Sequence, residues 1–214
     1  MSKPYVIGID IGGTNTVFGI VDARGHVVAS DSVKTLKYAD FDDYITSLKD
    51  GIERLLRANE AEDKIQGIGI GAPNANYYTG EIINPPNLPW GPVIPLAEKV
   101  SEAFNGIPVA VTNDANAAAL GEMTYGAARG MRDFIMITLG TGVGSGIVVN
   151  GQVVYGHDGF AGELGHMIVK RNNGRICGCG RTGCLEAYCS ATGVARTARE
   201  FLELRTEPSE LRNL

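Results

Sequence analysis

His166, Cys177, Cys179 and Cys184 stand as His-x10-Cys-x-Cys-x4-Cys, with Gly178, Gly180 and Gly183 between them. Three thiolates and one imidazole complete a tetrahedral Zn²⁺ shell with no open position, which is structural rather than catalytic metal chemistry. The glycines let a short loop wrap an ion. Free core thiols, or one disulfide with spares, are the competing readings. The polar neighbours Arg175, Arg181 and Thr182 speak against buried thiols. Cys189 is left over as an ordinary small apolar residue. Two acids are pinned by this loop: Glu163, three residues before His166, and Glu186, two after Cys184. Carboxylates accept paired hydrogen bonds from neighbouring hydroxyls, which suits a sugar. A solvated surface acid is the plainer alternative for each.

A second group is built on backbone. Gly12-Gly13-Thr14-Asn15 and Gly140-Thr141-Gly142-Val143-Gly144 each present successive N–H groups with no Cβ in the way, a nest for an anion. Neither is a Walker loop, since no Gly-Lys-Ser/Thr follows. One such hairpin alone is a tight turn. Two equivalent ones suggest a phosphate chain held between them, with Thr14, Asn15 and Thr141 as further donors. Asp10 stands two residues before the first nest. A carboxylate there suits Mg²⁺ beside phosphates, or it caps the turn. Asp114, after Asn113, lies at a strand end and a helix start. The helix dipole keeps such a carboxylate ionised, able to take a proton from a hydroxyl that attacks a phosphoryl group. Asn and Asp are also the commonest helix caps.

Strands and helices must position these groups. Residues 5–11 read as a buried strand, Val17–Val21 as a second and His26–Ser30 as a third, an antiparallel meander. Residues 41–56 place apolar side chains at three- and four-residue steps, an amphipathic helix capped by Asp40 or Asp42. Ile65–Gly71 is a strand, and Pro73–Pro92 a long turn-rich loop. Pro95 starts a helix, Pro108–Thr112 is a strand, and Ala115 to about Tyr125 is an alanine-rich helix. The meander then recurs in Phe134–Leu139, Gly146–Val149 and Gln152–Tyr155, with Asp10 aligned on Thr138 and Ile20 on Val148 at a constant offset. Such an internal repeat predicts two similar α/β lobes, 1–113 and 114–214, the second holding the zinc loop 166–186.

Composition narrows the function. Glycine supplies 29 of 214 residues, about twice the usual share, and thirteen fall between Gly140 and Gly183. They are interleaved with Ile, Val and Leu, so neither collagen nor a flexible linker fits. The balance of 19 basic against 24 acidic residues, with no basic cluster, argues against nucleic-acid and membrane-surface partners. The apolar start is broken by Asp10, and no stretch of about 20 apolar residues occurs, so neither a signal peptide nor a membrane span is expected. A cytoplasmic location is expected.

Asp10-Ile-Gly-Gly-Thr-Asn15, Asn113-Asp114-Ala-Asn116, Leu139-Gly-Thr-Gly-Val-Gly144, Gly162-Glu-Leu-Gly-His166 and Cys177-Gly-Cys-Gly-Arg-Thr-Gly-Cys-Leu-Glu186 together resemble the ROK family of sugar kinases and repressors. The resemblance implies an α/β, actin-like (ribonuclease-H-like) duplicated two-lobe ATPase fold, with the second lobe incomplete here. It implies an ATP-dependent kinase acting on a hexose 6-hydroxyl, most simply glucose. N-acetylmannosamine and fructose are the alternatives, and a non-catalytic sugar-binding sensor is the alternative outside the class. Intact Asp10 and Asp114 argue against the sensor.

By position, Asp114 resembles the family's catalytic base. Asn113, Glu163, His166, Glu186 and, in the proline-rich loop, Asn87 resemble its sugar ligands. Asp10 with Gly12, Gly13, Gly140, Thr141 and Gly142 is expected to hold Mg²⁺ and ATP. His166 serves twice, one ring nitrogen on zinc and the other on a sugar hydroxyl. The zinc is thus expected to order the sugar pocket without touching the phosphate. Family repressors carry a helix-turn-helix domain before the Asp-Gly-Gly-Thr segment, and with Asp10 reached within ten residues none is expected here. Family members are also longer, so the chain reads as a fragment that binds ATP weakly alone, from a protein forming dimers or tetramers.

Overall fold

The computed structural model describes residues 4–85 and 88–213. Its first sheet has five strands: β1 (Tyr5–Ile11), β2 (Asn15–Asp22), β3 (Val27–Lys34), β4 (Ile65–Ala72) and, after the short hairpin β5 (Ile82–Ile83) and β6 (Val93–Ile94), β7 (Val109–Asn113). Their order is β3-β2-β1-β4-β7. β1 to β3 form an antiparallel meander, while β4 and β7 join in parallel. Alternation in β1 sends Ile7, Ile9 and Ile11 into the core beside Phe18 and Ile20 of β2.

The helices α1 (Phe41–Ala58) and α2 (Leu96–Ala103) cover that face. Asp40 is the cap of α1, its carboxylate accepting from the Asp42 and Asp43 N–H groups at 2.8 and 3.1 Å. Tyr44, Leu48, Ile52 and Leu56 form the buried stripe. Gly51 sits on the same stripe because a Cβ there would stand 2.8 Å from the Phe18 ring. The Tyr44 hydroxyl is kept within the core by a 2.8 Å bond with Thr16 Oγ1, which also bonds Thr35. Asp40→Ala therefore costs about 1 kcal/mol of stability, seen as a lower urea midpoint with an unchanged slope.

The helix α3 (Asp114–Tyr125) follows β7 without a break and leads to the second sheet, β8 (Phe134–Leu139), β9 (Val143–Val149) and β10 (Gln152–Val153), ordered β10-β9-β8. This is the meander again, as the repeat predicts. One detail differs. Ile11 faces Thr16 across four turn residues, whereas Leu139 faces Val143 across three. The second turn is one residue shorter, so the offset between the halves does not stay constant and Ile20 corresponds to Ile147, not Val148. Among the described residues β8 pairs on one side only, while β1 is flanked on both. The second lobe thus carries the opening part of the pattern, as expected of an incomplete one.

Other boundaries moved for plain reasons. β3 runs on to Lys34 because its ladder with β2 continues to Asn15. β10 stops at Val153, and Tyr155 instead stacks on Tyr77 with ring centroids 4.1 Å apart. Asn76 Nδ2 donates to the Asp158 carbonyl at 2.8 Å beside it, tying the loop after β4 to the segment after β10. The alanines of α3 are packing residues. A Cβ on Gly146 would stand 2.7 Å from Ala119 Cβ, and one on Gly71 3.3 Å from Ala117 Cβ, so small residues on both sides bring α3 against both sheets. Two α-helices follow, α4 (Glu186–Cys189) and α5 (Ala191–Leu204), and a 3₁₀ turn over Glu210–Asn213 ends the described chain.

Candidate functional site

The ends of β1, β7 and β8 open on one cleft of about 680 Å³. Asp10, Gly12, Gly13 and Thr14 line one side of it. Gly140, Thr141, Gly142 and Gly144 line another, and Asn113, Asp114, Glu163, His166 and Glu186 also face it. Two turns distant by 128 residues, a helix start and the metal loop's flanking acids therefore share one space.

The predicted residues divide as follows. Asn15 does not line the cleft: its Oδ1 accepts from Lys34 Nζ at 2.8 Å, and its carbonyl closes the first turn by accepting the Gly12 N–H at 3.0 Å. These bonds engage its two oxygens and leave the Nδ2 donor uncommitted. Asn113 Oδ1 caps α3 through the Ala115 N–H at 2.9 Å, leaving its NH₂ group as the donor it can offer. Asp114 Oδ1 accepts from the same N–H at 2.8 Å, and its carboxylate is exposed to the cleft. Cap and candidate base thus coexist at one helix start. Asn87 lies outside the described residues.

Four cleft residues escaped sequence reasoning: Leu36, Pro73, Asn74 and Thr138. Thr138 was findable, since the repeat sets it opposite Asp10. Asn74 adopts φ 53° and its Nδ2 donates to the Ile83 and Asn84 carbonyls, which holds the long loop at the cleft's edge. Such a role depends on contacts nine and ten residues away and leaves no local signature.

The cysteine loop gathers as the spacing predicts. One ligand atom from each of His166, Cys177, Cys179 and Cys184 lies within 4.8 Å of all the others. Cys179 and Cys184 sulfurs are 3.7 Å apart, and Cys177 Sγ is 3.7 Å from His166 Nδ1. Tetrahedral zinc with Zn–S bonds of ~2.3 Å requires sulfur separations of about 3.8 Å, so the residues fit the ion. Burial pushes the Cys177 thiol up to about 12. Burial opposes ionisation of Cys179 too, but hydrogen bonds from Arg181 outweigh it and hold that thiol at about 6. His166 Nδ1 faces the sulfurs, which leaves Nε2 for another partner. Cys189 stands outside the set.

Negative charge accumulates in the cleft. Burial, and then the neighbouring Asp114, raise the Asp10 carboxyl above its ordinary range. Burial raises Glu163 as well, with Asp114 and Glu186 adding to it and His166 opposing. Oxygen ligands crowded this way suit a hard cation held by one carboxylate and phosphate oxygens, so the residues fit Mg²⁺. Asp10 also makes a stability prediction. A carboxyl with a raised folded pKa binds its proton more tightly in the folded chain. The fold then loses stability as pH rises from the ordinary carboxylate value through the raised one. Asp10→Asn removes that loss. It raises the ligand-free melting temperature at pH about 7 and leaves it unchanged at pH about 3, read from paired thermal melts.

Residues 6–214 match the ROK family. A glucokinase of Halalkalibacterium halodurans is 41% identical over 202 residues, which cover 94% of this chain and 61% of that protein. A glucokinase of Streptomyces coelicolor is 38% identical over 206 residues, covering 96% and 62%. Among solved structures, a ROK family glucokinase from Streptomyces griseus in complex with glucose and AMPPNP aligns with a TM-score of 0.77 at 35% identity, over 94% of this chain and 62% of that one. A ROK family transcriptional regulator, a homolog of the E. coli MLC protein, aligns with a TM-score of 0.85 at 27% identity, over 98% and 52%. The chain spans about three fifths of the length of the curated glucokinases it matches. Among the described residues no helix is long and apolar enough to cross a membrane.

Proposed function

The chain belongs to the ROK family, and we propose that the natural protein is a cytoplasmic, ATP-dependent kinase of a hexose 6-hydroxyl, with glucose as the favoured acceptor. One observation carries this reading: the two glycine turns, Asp10, Asp114 and the wall of Glu163, His166 and Glu186 all line the same cleft. The turns of 12–14 and 140–142 hold the phosphates of ATP through backbone N–H groups, those of Gly12 and Gly140 being spent on closing the turns. Asp10 would hold Mg²⁺, which would neutralise charge on the phosphates. Glu163, Glu186, the Asn113 NH₂ and His166 Nε2 bind sugar hydroxyls, and Asn87 is a further contact. Asp114 takes the proton from the attacking hydroxyl. The lobes 1–113 and 114–214 close on the pair and exclude water.

The metal loop acts through its neighbours. His166, Cys177, Cys179 and Cys184 would hold a structural zinc, which would fix the His166 ring and the chain carrying Glu163 and Glu186. A sensor without catalysis is the other reading, since a family regulator shares the fold. Asp10 and Asp114, both at the cleft, favour the kinase. The proposal is tested by steady-state assays of the complete natural protein with glucose, mannose, fructose and N-acetylmannosamine, each with saturating MgATP. The highest kcat/KM is expected for glucose. Turnover with N-acetylmannosamine or fructose alone reassigns the substrate, and no turnover with any sugar favours the sensor.

A further inference from the structure

Glu186 also touches the opposite side of the cleft. Its Oε2 accepts the Val143 N–H at 2.9 Å, across 43 residues of sequence. Just beyond α4, the Ala191 N–H donates to the Gly140 carbonyl at 2.9 Å. These two bonds grip both ends of the second glycine turn, which closes on itself through the Gly140 N–H and Gly142 carbonyl at 3.0 Å. Gly142 has no side chain for a steric reason. A Cβ there would stand 2.6 Å from Glu186 Oε2 and drive the carboxylate off the turn.

The segment that does the gripping is anchored to the metal loop. The Leu185 N–H donates to the Met167 carbonyl at 2.8 Å, next to His166, and the Ala187 N–H donates to the Cys184 carbonyl at 3.1 Å. On the far side Arg175 donates to the Ala187 carbonyl at 3.1 Å and lies 4.8 Å over the Tyr188 ring. A continuous path therefore runs from the cysteine cluster through α4 to the turn. We propose that Glu186 is a positioning residue for the second glycine turn, so that the metal loop sets the phosphate side of the cleft as well as the sugar side. The proposal rests on reading that turn as a phosphate holder. It extends the expectation that the zinc loop orders only the sugar pocket. Glu186 and Ala191 hold the Thr141 and Gly142 N–H groups at fixed places before any anion arrives, and such preorganisation is where binding gains affinity.

The test is calorimetric titration of the zinc-loaded natural protein with Mg·AMPPNP in the absence of sugar. Glu186→Ala is expected to weaken binding about tenfold, the scale of one charge-assisted hydrogen bond. Glu186→Gln keeps a carbonyl oxygen for the Val143 N–H and is expected to bind within about twofold of the wild type. Gly142→Ala attacks the same contact from the turn and is expected to weaken binding several-fold. It decides the matter if Glu186→Ala fails to fold, as judged by melting and zinc content. Wild-type affinity in Glu186→Ala or in Gly142→Ala overturns the proposal, and so does Glu186→Gln binding as weakly as Glu186→Ala. A wild-type protein that takes up no AMPPNP overturns the kinase reading itself, whereas wild-type binding with indifferent variants overturns only the role of Glu186.

Discussion

Asp114→Asn removes phosphoryl transfer and leaves hexose binding in place. The substitution preserves the side chain's size and its Oδ1, so the bond to the Ala115 N–H survives and α3 keeps its start. What is lost is the proton acceptor. A positioned general base contributes about 10²–10⁴ in rate, and kcat is expected to fall on that scale. Sugar affinity, measured by calorimetry, stays within about threefold, because an amide still bonds a hydroxyl. Near-normal turnover in Asp114→Asn would assign the base elsewhere.

Zinc removal has the other large effect. Cys184 is fully buried, and its loop supplies the anchor for Glu186 and the partner of His166. Cys184→Ala, or exhaustive chelation, is expected to release about one zinc per chain and to weaken glucose binding by about a hundredfold. The melting temperature falls with it, since metal binding free energy here is folding free energy for residues 166–186. Elemental analysis and glucose titration on the same preparation check this. A zinc-free protein with an ordered loop and normal glucose affinity would contradict it.

The sequence carried much of this architecture because hydrophobic period reports burial directly. Tyr5–Ile11 and Phe134–Leu139 are strands with the expected ends, and the run from Phe41 is a helix that extends two residues past Leu56 to Ala58. The duplicated meander was legible for the same reason. Its register was not, since dropping one residue from a turn keeps the glycine pattern while shifting every partner on β9. The gathering of His166, Cys177, Cys179 and Cys184 was legible because ligand type and spacing are local. Glu186 was legible as an acid near the metal, but its bond to Val143 depends on a fold that joins residues 43 apart. Asn15 shows the converse. Its place in a Gly-Gly-Thr-Asn turn points to the donor Nδ2, while a partner 19 residues on, Lys34, takes only the amide oxygen.

The central claim is that one cleft brings a nucleotide phosphate to a hexose hydroxyl. It is tested most directly by giving the complete natural protein ATP labelled in its γ-phosphate together with glucose, and following the label into product by phosphorus NMR. The account predicts label on the glucose 6-oxygen, matched one for one with ADP and absent in Asp114→Asn. Glucose bound without transfer, or label released only as inorganic phosphate, would contradict it.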